Sequence, residues 1–276
     1  MEAPLLASGV ARTVGVRRPS EGNLHEQEPP AAAPPAAHPC SDTAAILACL
    51  AACLGSLNFG TTLGYTSPCE PRIRADVLGG DEQLGALITS VVSLGALAGA
   101  LGGGAVSAAF SRRVALALSA APAALGWVLL ALPRPAWGVQ PALWALLIAR
   151  VLCGIGVGMQ SAVVPVYVAE VAPRRLRGLL GCCHQLNIAV GVSLVYALGW
   201  GIVAEAAECA ACGWRLIALL CAVPNLLMVL ALPLVPESPR WLVSAGRSAD
   251  AAAALGRLRG APLGDDDGAS TRAELE

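Results

Sequence analysis

Charged residues in this chain fall into short clusters, and the long apolar stretches between them contain no Asp, Glu, Lys or Arg. Each stretch is about as long as a helix that crosses a bilayer, roughly 20 residues at a rise of 1.5 Å per residue. The pattern predicts an all-α integral membrane protein. We place its six transmembrane helices near residues 43–65, 84–109, 114–132, 142–166, 179–203 and 214–235.

Two other interpretations of the apolar stretches fit less well. A soluble helical protein would show a polar face at the 3.6-residue period, and a β-barrel would show spans of about 10 residues with alternating polarity. The runs of Leu, Ala, Val and Gly show neither pattern. Only 13% of the residues are charged and the mean hydropathy is +0.65, whereas soluble domains are about 25% charged. The expected solvent is therefore a lipid bilayer.

The segments that flank the apolar stretches are different in character. Residues 1–42 are rich in Pro and Ala, which predicts a disordered cytoplasmic tail. No apolar core directly follows a basic start before residue 43, so a cleaved signal peptide is not expected. Residues 236–276 are expected to begin a cytoplasmic linker, in which residues 247–259 have the pattern of a short amphipathic helix.

The arginines predict the orientation, since the chain contains no lysine. If the amino terminus is cytoplasmic, the outer loops hold only Arg72, Arg74, Arg134 and Arg215, and the inner segments hold all the others except Arg150. The positive-inside rule then places both termini in the cytoplasm. The net charge of −1 and the lack of a basic patch interleaved with aromatics give no indication of a nucleic-acid partner.

Cysteine chemistry and catalysis are not expected from the motifs present. Most of the ten cysteines lie in or beside the predicted spans, where Cys acts as a small apolar residue. Cys209 and Cys212 form a CxxC in an outer loop, where a disulfide remains open; one CxxC without a second pair is weak evidence for zinc. No Walker motif or acid/base constellation is present. We expect no metal, no cofactor and no enzyme activity.

Two ionisable residues belong to the helix of the predicted fourth span, Arg150 within the span and Glu170 at the end of the helix. Charge inside a span is costly and usually functional. Arg150 either forms a structural or gating ion pair or extends to the outer interface, and the two alternatives are evenly balanced. Glu170 is expected to pair with Arg174, with Arg177, or with an arginine from elsewhere in the bundle. The Gly-rich segments 95–103 of the second span and 154–158 of the fourth are each expected to let another helix approach closely.

The fifth span carries polar side chains near its inner third, namely His184, Gln185 and Asn187. Amides both donate and accept hydrogen bonds, which suits a ligand with many hydroxyls. On this stretch alone, however, an interhelical hydrogen bond from Gln185 is the better interpretation.

Three motifs carry a family resemblance: RVLCGIGVGMQSAVVPVYVAEVAPRRLRG at 150–178, HQLNIAVGV at 184–192 and PESPRWL at 236–242. In order and spacing they resemble the facilitative sugar transporters, the sugar-porter branch of the major facilitator superfamily. The resemblance runs from about residue 43 to 260. It implies that the six helices form the amino-terminal half of a twelve-helix fold, with a carboxy-terminal six-helix half or another carrier chain as partner.

The resemblance also implies roles for individual residues. Gln185 matches the family's sugar-hydroxyl-binding glutamine, with Ile188 and Val192 on the same face of the pocket. Arg150 matches a family arginine near the outer end of helix four. The cytoplasmic charge network of the family is matched by the paired arginines Arg112 and Arg113 together with Glu170, Arg174, Arg177, Glu237 and Arg240.

This chain departs from the family pattern at four places. Ala108 and Ser111 stand where the loop after helix two usually has an Asp and a Gly, which weakens the gating network. Thr61 and Thr62 stand where proton-coupled relatives carry a carboxylate. Without a buried carboxylate, passive uniport of a hexose such as glucose is the expected activity. The alternative is a truncated, non-transporting isoform that associates with a full-length carrier.

The short first outer loop and the lack of any Asn-x-Ser/Thr site are similar to the intracellular class of the family, class III. The opening EAPLL, with Leu5 and Leu6, is similar to that class's dileucine sorting signals. These features favour endosomal, lysosomal or other internal membranes over the plasma membrane.

Overall fold

The structure is a computed structural model that describes residues 42–203 and 210–259. The predicted tail up to residue 41, with Leu5 and Leu6, lies outside the described residues, as do Cys209 and the end of the chain after residue 259. The helices are α1 (Thr43–Gly64), α2 (Thr66–Val77), α3 (Glu82–Ala109), α4 (Arg112–Ala131), α5 (Val139–Val171), α6 (Arg177–Leu198), α7 (Ala210–Ala231), α8 (Pro239–Ser244) and α9 (Ser248–Arg259).

Six of these helices are long and apolar enough to cross a bilayer: α1, α3, α4, α5, α6 and α7. The prediction of an all-α protein with six spans is confirmed, and no strand occurs in residues 42–203 or 210–259. The largest difference in length is in α5, which continues past the predicted end at 166 to Val171. The helix includes Glu170, whose carboxylate is paired with an arginine of another helix.

The helix α2 was not predicted. It follows α1 after the single residue Tyr65 and forms most of the connection between α1 and α3. Its buried residues Cys69, Ile73 and Val77 recur every four positions, so they form one apolar face. This face packs in a core cluster with Tyr65 and with Ile88 of α3.

Glycines set a backbone-to-backbone contact between α3 and α5. A Cβ atom on Gly99 would clash with the backbone carbonyl of Ile155, and one on Gly158 would clash with the carbonyl of Ala96. Gly95 lies against Val151 in the same way. Each of the two glycine segments therefore does allow a close helix approach, and the structure shows that they pack against each other, with backbone contact in place of side-chain packing.

One end of the bundle carries most of the described arginines, and we call it the arginine-rich end. It comprises the starts of α1, α4 and α6, the end of α5, and the two short helices α8 and α9. The Ser238 hydroxyl caps α8 by accepting a hydrogen bond from the Trp241 amide at 3.2 Å. Leu258 of α9 packs in the same core cluster as Ala45 of α1, which attaches α9 to the bundle.

The faces of α3 and α6 are the least buried of the six spans. On α3 the large side chains Leu94, Leu97 and Leu101 are all more than 60% exposed. A soluble protein rarely exposes a continuous apolar face of this kind. These two faces must therefore meet lipid or another helical bundle.

Candidate functional site

The residues predicted to bind sugar lie on the little-buried face of α6. Gln185 is exposed, while Ile188 and Val192 are half-buried. Their three- and seven-residue spacing places all three on one helix face. The Gln185 amide has no hydrogen-bond partner among residues 42–203 and 210–259. The interhelical hydrogen bond that the sequence of this span favoured for Gln185 therefore does not form within the described residues. The amide is available to a ligand.

Glycines of α1 hold this part of α6 at backbone distance. A Cβ atom on Gly60 would clash with the carbonyl of Ile188, and one on Gly64 would lie 3.1 Å from the Cα of Val192. The backbone of the predicted sugar-binding face is therefore fixed against α1. Such support is what a binding site on a single helix needs to keep its geometry.

The neighbours of Gln185 have their polar groups already engaged. His184 Nδ1 lies 2.6 Å from the Ser56 hydroxyl of α1, and the Asn187 amide donates to the Cys183 carbonyl within α6 at 2.8 Å. His184 therefore anchors α6 to α1, and Asn187 satisfies its own helix. Of the three polar residues singled out in the sequence, Gln185 alone is free to bind.

A buried row of amides, which the sequence analysis did not identify, links three spans. Asn58 of α1 donates to Gln160 of α5 at 2.9 Å, and Gln160 donates to Asn225 of α7 at 2.7 Å. The Trp127 indole of α4 donates to the side-chain amide oxygen of Asn58, Oδ1, at 2.9 Å. We call Asn58, Gln160 and Asn225 the amide chain. The sequence did hold a signal for this row, namely one amide in each of three apolar spans. An amide inside a membrane needs a hydrogen-bond partner, so the three could have been expected to meet.

The charge network predicted at the arginine-rich end is centred on Arg112 and Glu170. Arg112 Nε and Nη2 donate to the two carboxylate oxygens of Glu170, each at 3.0 Å. Arg112 Nη1 also donates to the Ser107 hydroxyl at 2.7 Å. The side chains of Arg112 and Glu170 are only 17% and 11% exposed. This two-pronged pair ties the end of α5 to the start of α4.

Glu237 joins the same region through backbone groups. Its carboxylate accepts hydrogen bonds from the amides of Arg113, at 3.3 Å, and Ser238, at 3.0 Å. The Tyr167 hydroxyl donates to the Pro236 carbonyl at 2.8 Å. The PESPR segment is therefore held against the start of α4 and the end of α5.

The remaining members of the predicted network are not connected to it. Arg174, Arg177 and Arg240 are exposed, and none forms an ion pair with Glu170 or Glu237 in the described part of the chain. Glu170 takes its partner from elsewhere in the bundle, which was one of the alternatives. Arg175, which was not predicted, pairs with Asp42 at the start of α1, its Nε lying 2.7 Å from the carboxylate.

Arg150 fits neither alternative considered for it. The residue is 1% exposed, so extension to the outer interface is wrong. Its Nε and Nη1 have no hydrogen-bond partner, and no carboxylate of residues 42–203 or 210–259 pairs with it. The guanidinium lies over the Tyr65 ring at 4.8 Å. Burial raises the pKa of the nearby Cys69 thiol to about 12, so that thiol is neutral and supplies no counter-charge.

This burial leads to a prediction about stability. Arg150→Met is expected to raise the melting temperature of the detergent-solubilised chain by several degrees, because an unpaired buried charge costs more than an apolar side chain of similar length. Arg215→Met is the matched control, since Arg215 is paired with Asp76 at 2.8 Å, and this change is expected to lower the melting temperature. A lower value for Arg150→Met as well would show that its charge is satisfied in solution.

The opposite end of the bundle has its own polar contact, which we call the Arg215 clasp. Arg215 pairs with Asp76 of α2 and donates to the Pro133 carbonyl, with Nε at 3.0 Å from that oxygen. The Trp214 indole donates to Asp76 at 3.3 Å, and the Tyr65 hydroxyl donates to the Trp214 carbonyl at 2.9 Å. The clasp joins α2, the α4–α5 connection and α7.

Comparison with known proteins decides the family. The family model described as "Sugar (and other) transporter" matches residues 44–276, which include all six spans. The chain belongs to the sugar transporter family. Membership confirms the resemblance drawn from the motifs, and it agrees with the expectation that the chain is not an enzyme.

Among members of the sugar transporter family, the similar proteins include facilitated glucose transporters of solute carrier family 2. Member 8 from Bos taurus is 36% identical over 238 residues, which cover 85% of this chain and 46% of that protein. Member 6 from Homo sapiens is 35% identical over 264 residues, covering 94% of this chain and 47% of that protein. The chain thus spans about half the length of these relatives.

Solved structures of the major facilitator superfamily show the same arrangement of helices. The proton:xylose symporter XylE bound to 6-bromo-6-deoxy-D-glucose matches with a TM-score of 0.77 and 27% identity, over 85% of this chain and 53% of that chain. A partially occluded inward-open form of XylE from E. coli matches with a TM-score of 0.75, also at 27% identity, over 84% of this chain and 59% of that chain. The fold of this chain is therefore half of a major facilitator fold.

Proposed function

We propose that the chain takes part in facilitated transport of a hexose, as the amino-terminal half of a carrier that works by alternating access. The observation that carries the proposal is the Gln185 amide. It is exposed and without a partner among the described residues, on a helix face fixed against α1. A polar group left open on a membrane helix is costly unless a ligand or water uses it. The sugar hydroxyls would be bound there, against Ile188 and Val192.

Passive uniport is the proposed mode. Proton-coupled relatives carry a carboxylate soon after the Phe-Gly of the first span, where this chain has Thr61 and Thr62. Both hydroxyls donate to the Asn58 backbone carbonyl at 2.9 Å, so their hydrogen bonds are satisfied within their own helix. Because neither side chain titrates, no proton would be bound and released there during the cycle.

Alternating access requires a second six-helix bundle, since substrate lies between two halves that rock against each other. The exposed faces of α3 and α6 are the surfaces we assign to that contact. The partner would be a carboxy-terminal half or another carrier chain. Half of the binding site would come from it.

The charge network would act in two parts. Arg112, Arg113, Glu170 and Glu237 form the fixed part, because their contacts lie within this bundle. The exposed guanidinium groups of Arg174, Arg177 and Arg240 would be the mobile part, contacting carboxylates of the second half in the outward-open state. Exposed arginines suit this role, since a surface pair is worth only about 0–1 kcal/mol and can break in each cycle. Arg150 would take part near the outer end of α5.

The orientation and compartment follow the same reasoning. The arginine-rich end would face the cytoplasm, with both termini on that side. The dileucine-like Leu5 and Leu6, and the resemblance to the intracellular class of the family, support endosomal or lysosomal membranes over the plasma membrane.

Labelled-hexose uptake tests the proposal. The chain would be reconstituted in proteoliposomes alone, and together with the carboxy-terminal half of facilitated glucose transporter member 8. We expect saturable uptake in the second preparation, and loss of at least 90% of it in Gln185→Leu, because the amide would no longer bind the sugar hydroxyls. Gln140→Leu is the matched control, since Gln140 is exposed at the outer end of α5, away from this face.

Uptake that survives Gln185→Leu would contradict the sugar-binding role of α6. No uptake in either preparation, with correctly inserted protein, would favour the alternative of a chain that associates with a carrier without transporting. Uptake by this chain alone would mean that two copies supply both halves of the site.

A further inference from the structure

A polar pocket of about 290 Å³ opens at the arginine-rich end, away from the proposed sugar-binding face. It lies between the start of α4, the PESPR segment, and the helices α8 and α9. Its polar lining is supplied by Ser111, Arg113, Glu237, Trp241, Arg247, Asp250 and Arg257.

Positive charge prevails in this pocket. Three arginines line it against two carboxylates. Glu237 is already engaged, since its oxygens accept hydrogen bonds from two backbone amides. Asp250 pairs with Arg247 at 2.8 Å, but both side chains are more than half exposed, and such a surface pair is easily given up.

Two of the arginines are left without a carboxylate. Neither Arg113 nor Arg257 forms an ion pair or a side-chain hydrogen bond in residues 42–203 or 210–259. They come from different elements, α4 and α9, and meet only at this pocket. Two unpaired guanidinium groups that converge from separate helices form a fork suited to a phosphate group.

We propose that this pocket binds a phosphorylated polyol, a phosphate monoester on a sugar-sized ring. The phosphate would lie between Arg113 and Arg257, with Arg247 released from Asp250 to join them. The freed Asp250 carboxylate would then accept hydrogen bonds from ring hydroxyls, and the Trp241 indole would cover the apolar face of the ring.

The size of the pocket separates this ligand from smaller and larger anions. Small-molecule pockets occupy about 300–1,000 Å³, so a pocket of 290 Å³ stands at the lower limit of that range. A single sugar phosphate or inositol phosphate fits this volume, whereas inorganic phosphate would leave most of it unfilled. The pocket lining includes Arg113 and Glu237 of the charge network. A bound ligand would therefore hold α9 against that network.

Two kinds of molecule carry a phosphate monoester on a sugar-sized ring: a soluble sugar phosphate and the headgroup of a phosphoinositide. The proposal rests on the proposed function for its cytoplasmic location. Binding itself can be measured without transport, so its failure and the failure of hexose transport are separate results.

The first experiment is calorimetric titration of the purified chain, in phosphatidylcholine nanodiscs, with glucose 6-phosphate, glucose and inorganic phosphate. We expect glucose 6-phosphate to bind at least tenfold more tightly than inorganic phosphate, and glucose not to bind at this pocket. Equal binding of inorganic phosphate and glucose 6-phosphate would overturn the polyol assignment.

The second experiment repeats the measurement in nanodiscs that contain phosphatidylinositol 4-phosphate, with the bound lipid counted by native mass spectrometry. Retention of this lipid over unphosphorylated phosphatidylinositol, together with competition by soluble glucose 6-phosphate, identifies the headgroup as a source. Binding of glucose 6-phosphate without lipid retention identifies a cytosolic metabolite. No binding of either probe would overturn the proposal.

Variants on α9 and beside it locate the site. Arg257→Ala is expected to weaken binding about tenfold or more. Ala253→Glu is an exposed change that adds a carboxylate among the arginines and is expected to abolish binding. Arg259→Ala is the matched control, since Arg259 lies two positions along α9 and does not line the pocket. Binding that is unchanged in both Arg257→Ala and Ala253→Glu would place the ligand elsewhere.

Discussion

Gly99→Leu is expected to abolish folding of the bundle, giving no monodisperse protein after extraction in mild detergent. A Cβ atom on Gly99 would clash with the backbone carbonyl of Ile155, and backbone cannot move aside as a flexible side chain can. The α3–α5 contact would have to open along its length, since Gly95 and Gly158 depend on the same close approach. Size-exclusion chromatography and a thermal melt measure the outcome.

The chain offers matched controls for this change in the same helix. A Cβ atom on Gly102 or Gly104 would have no atom of another helix within 4 Å. Gly102→Leu and Gly104→Leu should therefore be extracted from the membrane like the parent chain. Folding of Gly99→Leu with an unchanged melting temperature would show that α3 and α5 do not touch where the structure places them.

Glu170→Gln is expected to destabilise the bundle by about 3 kcal/mol, and Arg112→Gln by a similar amount. Each change leaves one charge of a largely buried, doubly hydrogen-bonded pair without its partner, and breaking such a pair typically costs about 3–5 kcal/mol. We take the lower end of that range because neither side chain is fully buried. Chemical denaturation in detergent, followed by tryptophan fluorescence, measures the change.

A double variant tests whether the side chains of Arg112 and Glu170 interact. Arg112→Gln with Glu170→Gln should cost clearly less than the sum of the single changes, because no charge is left unpaired. Arg174→Gln serves as the control, since Arg174 is exposed and does not pair with Glu170, and should change stability by less than about 0.5 kcal/mol. Additive single effects would mean that the two side chains do not interact.

The features that the sequence predicted are those with a local signal. A span needs only a long apolar stretch, and six of them appear without any tertiary information. The glycine faces of α3 and α5 were equally predictable, because small residues at short regular spacing mark a close-packing helix face whatever they pack against. Gln185 was assigned by motif, and its role in sugar binding stays a prediction.

The features that the sequence left open or missed depend on partners distant in the chain. Arg112 and Glu170 are 58 positions apart, so the sequence offered Arg174 and Arg177 as nearer and equally charged candidates. The helix α2 was missed for another reason. Its charged residues, such as Glu70 and Arg74, end the apolar stretch of α1, which obscures the four-residue recurrence of its buried face. Arg150 was misjudged because its burial depends on α2 covering it.

The amide chain has a consequence for how the protein is made. Asn58 leaves the ribosome 102 residues before its partner Gln160, and Gln160 precedes Asn225 by a further 65. Until α4 supplies Trp127 and α5 supplies Gln160, α1 carries an amide into the bilayer with nothing to bind there, which favours its retention beside the insertion machinery over release into lipid. Assembly of this half would then be completed only when α7 arrives, so nascent chains that stop short of Asn225 should remain bound to membrane chaperones.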